Sequence, residues 1–178
     1  MFPVFVPLRR ALAPWGVRHP LDREVRKIAA ALPEVVQIGP AALAARLASD
    51  KRPAIFDARS EQEFAVSHLP GAVRVPPDIE AEEFTARFSP KAADRDAVFA
   101  CAVGWRSARL AARVQHALAE QGTACANLAG GVFAWRNEGW LLERKGQRTG
   151  DVHPYDARWG RMIDDPKARV YAPPSPAA

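Results

Sequence analysis

Val98-Phe99-Ala100-Cys101-Ala102-Val103-Gly104-Trp105-Arg106-Ser107 runs straight into a helix-patterned segment, and this stretch constrains the fold more than any other. Ala97 to Ala100 is an unbroken apolar run of strand length, so it reads as a strand buried on both faces. Residues 107–121 follow as a helix, with Leu110, Ala111, Val114, Ala117 and Leu118 on one face and Gly122 at its stop. The loop between them sets a cysteine where backbone N–H groups and the positive end of a helix dipole converge. Such a position favours the thiolate, which is the reactive form of the side chain.

The same alternation extends in both directions. Val35 to Ile38 reads as a strand, residues 40–48 as a helix, and Ala54 to Asp57 as a buried strand ending on a carboxylate. Glu61 to Ser67 makes one or two helical turns, Val73 to Val75 a short strand, and residues 79–88 a helix. Ala124 to Asn127 is the last strand, and Gly130-Gly131 turns into a short helix through Trp135. Strands alternating with helices imply an α/β fold with a parallel sheet covered on both faces. Ligands of such sheets bind beyond the carboxyl ends of the strands, and both Asp57 and Cys101 fall at that edge.

The 178 residues divide into three segments: an N-terminal extension with one helix (1–34), the α/β domain (35–142) and a C-terminal extension (143–178). Of the net charge of +5, none falls in residues 35–142, which hold 12 basic and 12 acidic groups. The excess lies in the flanks, with no basic stripe interleaved with aromatics, so nucleic-acid binding is not expected. Two distant cysteines form no disulfide framework, no metal-ligand spacing is present, and no apolar run is long enough to span a membrane. The order of charge and apolar residues over Met1 to Arg10 is the reverse of a secretory signal. A cytoplasmic protein with a reduced thiol is expected, although the basic, acid-free residues 1–21 also fit a transit peptide weakly. Residues 1–20 hold Pro3, Pro7, Pro14 and Pro20 and read as irregular. Asp22 is the expected N-cap of a helix that docks on the main domain, in preference to a membrane surface. Pro173, Pro174 and Pro176 mark a disordered end. Between them Tyr155 and Trp159 are expected to anchor the tail, in preference to binding a partner.

Three motifs together resemble the rhodanese (sulfurtransferase) family. They are Ile55 to Phe64 followed by His68-Leu69-Pro70-Gly71-Ala72, then Cys101-x-x-Gly104-x-Arg106-Ser107, then Asn127 to Trp135. Ser67 departs from the pattern, since the family commonly has glycine before the histidine, and the change is expected to be tolerated. The resemblance implies a three-layer, rhodanese-like fold with a five-stranded parallel sheet flanked by helices. It also implies that Cys101 is the catalytic nucleophile, carrying a sulfane sulfur from a donor such as thiosulfate or a persulfide. The acceptor is a thiophile: cyanide, a thiol or a protein thiol. No cofactor is needed beyond the covalent cysteine persulfide.

Elementary chemistry agrees. Attack by the thiolate leaves an anionic persulfide and splits the transfer into two easier steps. Backbone N–H groups from Ala102, Val103, Gly104, Trp105, Arg106 and Ser107 are placed to form an anion-binding nest. Gly104 permits a left-handed turn, Arg106 adds a fixed positive charge, and Ser107 is the expected helix cap. A lone buried cysteine is more often inert, and the strand–loop–helix context is what favours reactivity. Asp57 is expected to pair with an arginine, Arg59 or Arg106, between which the sequence does not choose, or to accept loop N–H bonds. His68 is expected to make a structural hydrogen bond rather than carry protons. Trp105 either contacts an apolar acceptor at the loop rim or packs on a neighbouring helix. Cys125 sits in a strand pattern and is expected to be inert. Two other functions compete: a non-catalytic binding or regulatory module, and a cysteine-based phosphatase or arsenate reductase. The latter use Cys-x5-Arg loops that surround a tetrahedral anion. Here Cys101 and Arg106 are one residue closer, which better suits a single sulfur atom.

Overall fold

The computed structural model describes residues 19–173. Its elements follow the alternation of the sequence: α1 (Pro20–Ala31), β1 (Gln37–Ile38), α2 (Pro40–Leu47), β2 (Ala54–Asp57), α3 (Glu61–Val66), β3 (Val73–Arg74), α4 (Ala81–Phe88), β4 (Ala97–Ala100), α5 (Trp105–Ala119), β5 (Cys125–Leu128) and α6 (Gly131–Asn137). Beyond these come a small hairpin, β6 (Leu142–Arg144) and β7 (Gln147–Thr149), and a single turn of helix, α7 (Ala157–Gly160). The first five strands form one parallel sheet in the order β1-β5-β4-β2-β3, with helices around it.

β2 and β4 carry apolar residues on both faces because both faces are covered. Ile55 and Val98 belong to one core cluster, with Leu43, Leu128 and Phe133. Phe56 and Phe99 point the other way, into a cluster with Phe84, Phe88, Leu110, Val114 and Leu118. There Phe56 meets Phe84 edge-on at 5.1 Å and Phe99 at 5.4 Å between ring centroids. The pairing of Asp57 with Ala100 brings the ends of β2 and β4 side by side, which sets Cys101 beside the loop that follows Asp57.

Several boundaries differ from the sequence reading for local reasons. α1 starts at Pro20, with the ring of His19 accepting the Leu21 N–H at 3.2 Å, so His19 rather than Asp22 is the cap. Pro20 begins the helix because its fixed φ and missing N–H suit the first turn. The irregular reading of the other early prolines, and most of the disordered end, fall outside the described residues. α5 begins at Trp105, two residues early, because Gly104 takes the cap position at φ +105°.

The described parts of both extensions bury side chains on the domain. Leu21 and Ile28 of α1 are buried, as are Val152, Ile163 and Ala168 of the C-terminal segment. The two meet through His19 Nε2 and Asp164 Oδ1, 3.0 Å apart. Among the described residues no helix is long and apolar enough to cross a membrane. Replacing the fully buried Phe56 by alanine is expected to cost about 3–5 kcal/mol, read as a lower denaturant midpoint at unchanged slope.

Candidate active site

Cys101 ends the buried run of β4 and its side chain remains 1% exposed, yet it lines a cavity of about 150 Å³. Its Sγ accepts the Gly104 N–H at 3.2 Å, so the loop curls back over the sulfur. That curl needs glycine: φ at Gly104 is +105°, and a Cβ there would lie 3.3 Å from both Ile28 Cδ1 and Asn127 Nδ2. The loop is held from behind by α6. Val132 N–H donates to the Cys101 carbonyl at 2.8 Å and Phe133 N–H to the Ala102 carbonyl at 3.0 Å. This approach requires Gly131, where any Cβ would collide with the Cys101 carbonyl oxygen.

The loop residues serve different ends. Ala102, Val103, Trp105 and Arg106 line the cavity with Cys101. Ser107 is not the helix cap. It lies in the first turn of α5, fully buried, and its Oγ donates to Asn127 Oδ1 at 2.7 Å, tying the helix to β5. Trp105 packs on the neighbouring helix, as one of its two readings has it, and it also lines the cavity. Its ring lines the cavity while its Nε1–H donates to Glu24 Oε2 on α1 at 3.0 Å.

Asp57 chooses Arg59. Arg59 Nε donates to Oδ1 at 2.9 Å and Nη2 to Oδ2 at 2.7 Å, with both side chains fully buried. Nη2 also reaches the Ser67 carbonyl at 2.6 Å. This pair fastens the β2–α3 loop and does not line the cavity. His68 stacks on Phe64 at 4.1 Å between centroids, with Nδ1 3.1 Å from the Leu69 carbonyl and its backbone bridged to Glu143. None of these contacts reaches the cavity. Ser67 has found a use: its hydroxyl donates to the Asp151 carbonyl at 2.6 Å, fixing the C-terminal segment. Cys125 is half-buried, and burial together with the Asp96 carboxylate pushes its thiol up to about 11, so it stays protonated and inert at neutral pH.

The sequence reading missed Glu63 and misplaced the role of two aromatics. Glu63 is 2% exposed and takes both arms of Arg106, Nη1 to Oε2 at 2.8 Å and Nη2 to Oε1 at 2.7 Å. The same carboxylate completes the capping box of α3, accepting the Ser60 N–H at 3.0 Å while Ser60 Oγ accepts the Glu63 N–H. The box was readable as Ser-x-x-Glu. Its arginine, 43 positions away, was not. Tyr155 and Trp159 do more than anchor the tail: both line the cavity, and the Tyr155 ring centroid lies 5.3 Å from Arg106 Cζ.

Burial pushes the Glu63 carboxyl up, but the Arg106 hydrogen bonds and charge outweigh it and hold the group below the ordinary 4.5. Burial likewise lowers Arg106, and the bond to Glu63, with the charge of the Cys101 sulfur, more than restores it. The guanidinium is therefore always charged and always paired.

A parallel α/β sheet with a cysteine loop opening onto a helix N-terminus defines the class of the protein, and comparison with known proteins refines it. Residues 40–138 match the rhodanese-like domain family, and the chain belongs to that family. YtwF of Bacillus subtilis (strain 168), named a candidate sulfurtransferase, is 30% identical over 105 residues, covering 59% of this chain and 94% of its own. Thiosulfate sulfurtransferase from Pseudomonas aeruginosa is similar in structure at TM-score 0.53 and 22% identity, over 82% of this chain and 26% of that one. RPA3614 of Rhodopseudomonas palustris CGA009, described as of unknown function and a possible tyrosine phosphatase, gives TM-score 0.51 at 23% identity, over 73% of this chain and 98% of that one. These two likenesses establish the fold and leave the chemistry to the loop.

Because the folded-state proton affinity of Glu63 is lowered, its contribution to stability is complete above pH 4.5 and is lost as pH falls below it. Glu63→Gln is expected to be less stable than the parent by about 1.5–3 kcal/mol at pH 7, the range for hydrogen bonds to charged groups. The gap should close as denaturation is followed from pH 5 down to about pH 3.

Proposed function

We propose that the protein is a sulfurtransferase that carries a sulfane sulfur as a persulfide on Cys101. The observation that carries this reading is the Cys101 sulfur itself. It lines a cavity, accepts the Gly104 N–H at 3.2 Å, and sits beneath a loop that leads directly into α5. The thiolate attacks the outer sulfur of a donor. The donor's S–S bond breaks, and its electron pair leaves with the remainder: sulfite from thiosulfate, a thiolate from a persulfide. Cys101–S–S⁻ is formed, with its negative charge on the terminal sulfur beside the loop amides and the helix N-terminus. A thiophile such as cyanide then takes that sulfur as thiocyanate, and the Cys101 thiolate is regenerated. Arg106 adds positive charge beside the sulfur. The anion-binding role belongs to the loop from Ala102 to Ser107, with Asp57, Arg59 and His68 supporting it structurally. No cofactor or metal enters this cycle.

Phosphoryl chemistry is disfavoured on two grounds. The Cys-x4-Arg loop is one residue short of the phosphatase spacing. The guanidinium that would grip two phosphate oxygens is already held by both oxygens of Glu63. The presence of Cys101 in this position counts against a non-catalytic module of the same family.

Intact-mass measurement after incubation with a sulfane donor decides between the readings. One added sulfur is expected on the wild-type chain, removed by cyanide and never acquired by Cys101→Ser. Absence of an adduct with thiosulfate, an organic thiosulfonate and glutathione persulfide alike would leave the binding module as the better account.

A further inference from the structure

The cavity beside Cys101 is walled by residues outside the family match, which ends at residue 138. Tyr155 and Trp159 come from the C-terminal segment and face Ala102, Val103 and Trp105 across the space. Tyr155 is held at φ +66°, a left-handed conformation that is costly for a bulky side chain and tends to persist at functional sites. The surroundings enforce it. The Tyr155 N–H donates to His153 Nδ1 at 3.0 Å, and burial lowers the proton affinity of that imidazole, keeping Nδ1 an acceptor at neutral pH. Val152 is fully buried and hydrogen-bonded on both sides, to the Ala168 carbonyl at 2.7 Å and from the Val170 N–H at 3.0 Å. The outcome of this fixed backbone is a tyrosine ring placed over Arg106.

The walls are mostly apolar, and among the described residues the one cation lining them is shared between Glu63 and the Cys101 sulfur. Arg106 is the cation that lines the cavity, and Glu63 neutralises it through two short hydrogen bonds. Arg109 and Arg158 stack on the Trp105 and Trp159 rings at 5.4 and 5.9 Å, are exposed, and do not line the space. Bringing a dianion such as thiosulfate into this cavity, beside an anionic sulfur, forfeits hydration that, among the described residues, only the Glu63-paired Arg106 is placed to offset. An aromatic or compact alkyl body, by contrast, buries apolar surface against three aromatic rings. A cavity of about 150 Å³ is large enough for a benzene ring.

Building on the persulfide reading, we propose that the donor is a singly charged organic persulfide or thiosulfonate with an aromatic or compact apolar body, selected over inorganic thiosulfate by Tyr155 and Trp159. With a thiosulfonate the step is Cys–S⁻ + R–SO₂–S⁻ → Cys–S–S⁻ + R–SO₂⁻. The S–S bond of the donor breaks and the sulfinate leaves with the electron pair.

Benzenethiosulfonate and thiosulfate make a matched test, since a phenyl group in one replaces a charged oxygen in the other. We would measure kcat and KM for each with cyanide as acceptor, alongside the mass of the loaded protein. The variants are Tyr155→Phe, Tyr155→Gly and Trp159→Ala. Glycine adopts the conformation at position 155 without strain, so Tyr155→Gly removes the ring while sparing the fold. Wild type is expected to favour benzenethiosulfonate. Loss of either ring should lower its kcat/KM relative to thiosulfate by about tenfold, chiefly through KM, whereas Tyr155→Phe keeps the preference. Comparing this ratio between wild type and each variant cancels the intrinsic reactivity of the donors. A wild-type preference for thiosulfate, or an unchanged ratio in a folded Tyr155→Gly, overturns this inference and leaves the sulfurtransferase reading standing. Failure of both donors to load Cys101 overturns the two together.

Discussion

Two backbone hydrogen bonds, from Val132 and Phe133 to the carbonyls of Cys101 and Ala102, hold the arrangement together. They hold those carbonyls against α6, while the Gly104 amide of the same loop points to the sulfur. Gly131 is the condition for this contact, because any side chain there would occupy the space of the Cys101 carbonyl. The sheet delivers the loop to its place, with β4 between β2 and β5, and the buried run Ala97–Ala100 leaves the cysteine no other exit. The shape of the reactive loop thus depends on main-chain geometry and two glycines, while its side chains are available to set the character of the cavity.

The ion pairs divide the labour around it. Asp57 and Arg59 are both fully buried and pair with each other, and Arg59 also donates to the Ser67 carbonyl, so their effect is to lock one loop conformation. Glu63 and Arg106 stand nearer the sulfur and are coupled to α3 through the capping box. A buried pair of this kind adds less to net stability than its contact distances suggest, since both charges have left water. What it supplies is orientation: the guanidinium plane has one position, fixed by the carboxylate and covered by the Tyr155 ring.

Much of this was legible in the chain. β2 and β4 lie at the expected residues because short apolar runs of three and four residues admit few alternatives, and the alternation of strands and helices led to the parallel sheet. The start of α5 was misjudged because a left-handed glycine can cap a helix as well as a serine, and Ser107 has a better partner in Asn127. The choice of Arg59 over Arg106 by Asp57 follows from a two-residue separation that folds the guanidinium back on the strand end, a matter of loop geometry that spacing alone does not specify. Glu63 with Arg106, and Tyr155 with the cavity, are contacts between distant parts of the chain. No periodicity encodes them, and they exist only once the sheet has set its ends in register.

Ser67 shows where this leads. Its hydroxyl reaches Asp151, and from there the chain passes through His153 and Tyr155 to Trp159 and on to Asp164, which meets His19. The stretch by which the family is recognised, residues 40–138, therefore ends before the wall of its own cavity is complete. The unit of kinship and the unit of chemistry have different boundaries in this protein. One contains the cysteine and its loop, and the other contains the remaining cavity wall as well. A fragment cut to the family outline would keep the cysteine and its loop but open the cavity to water on the side of the missing rings.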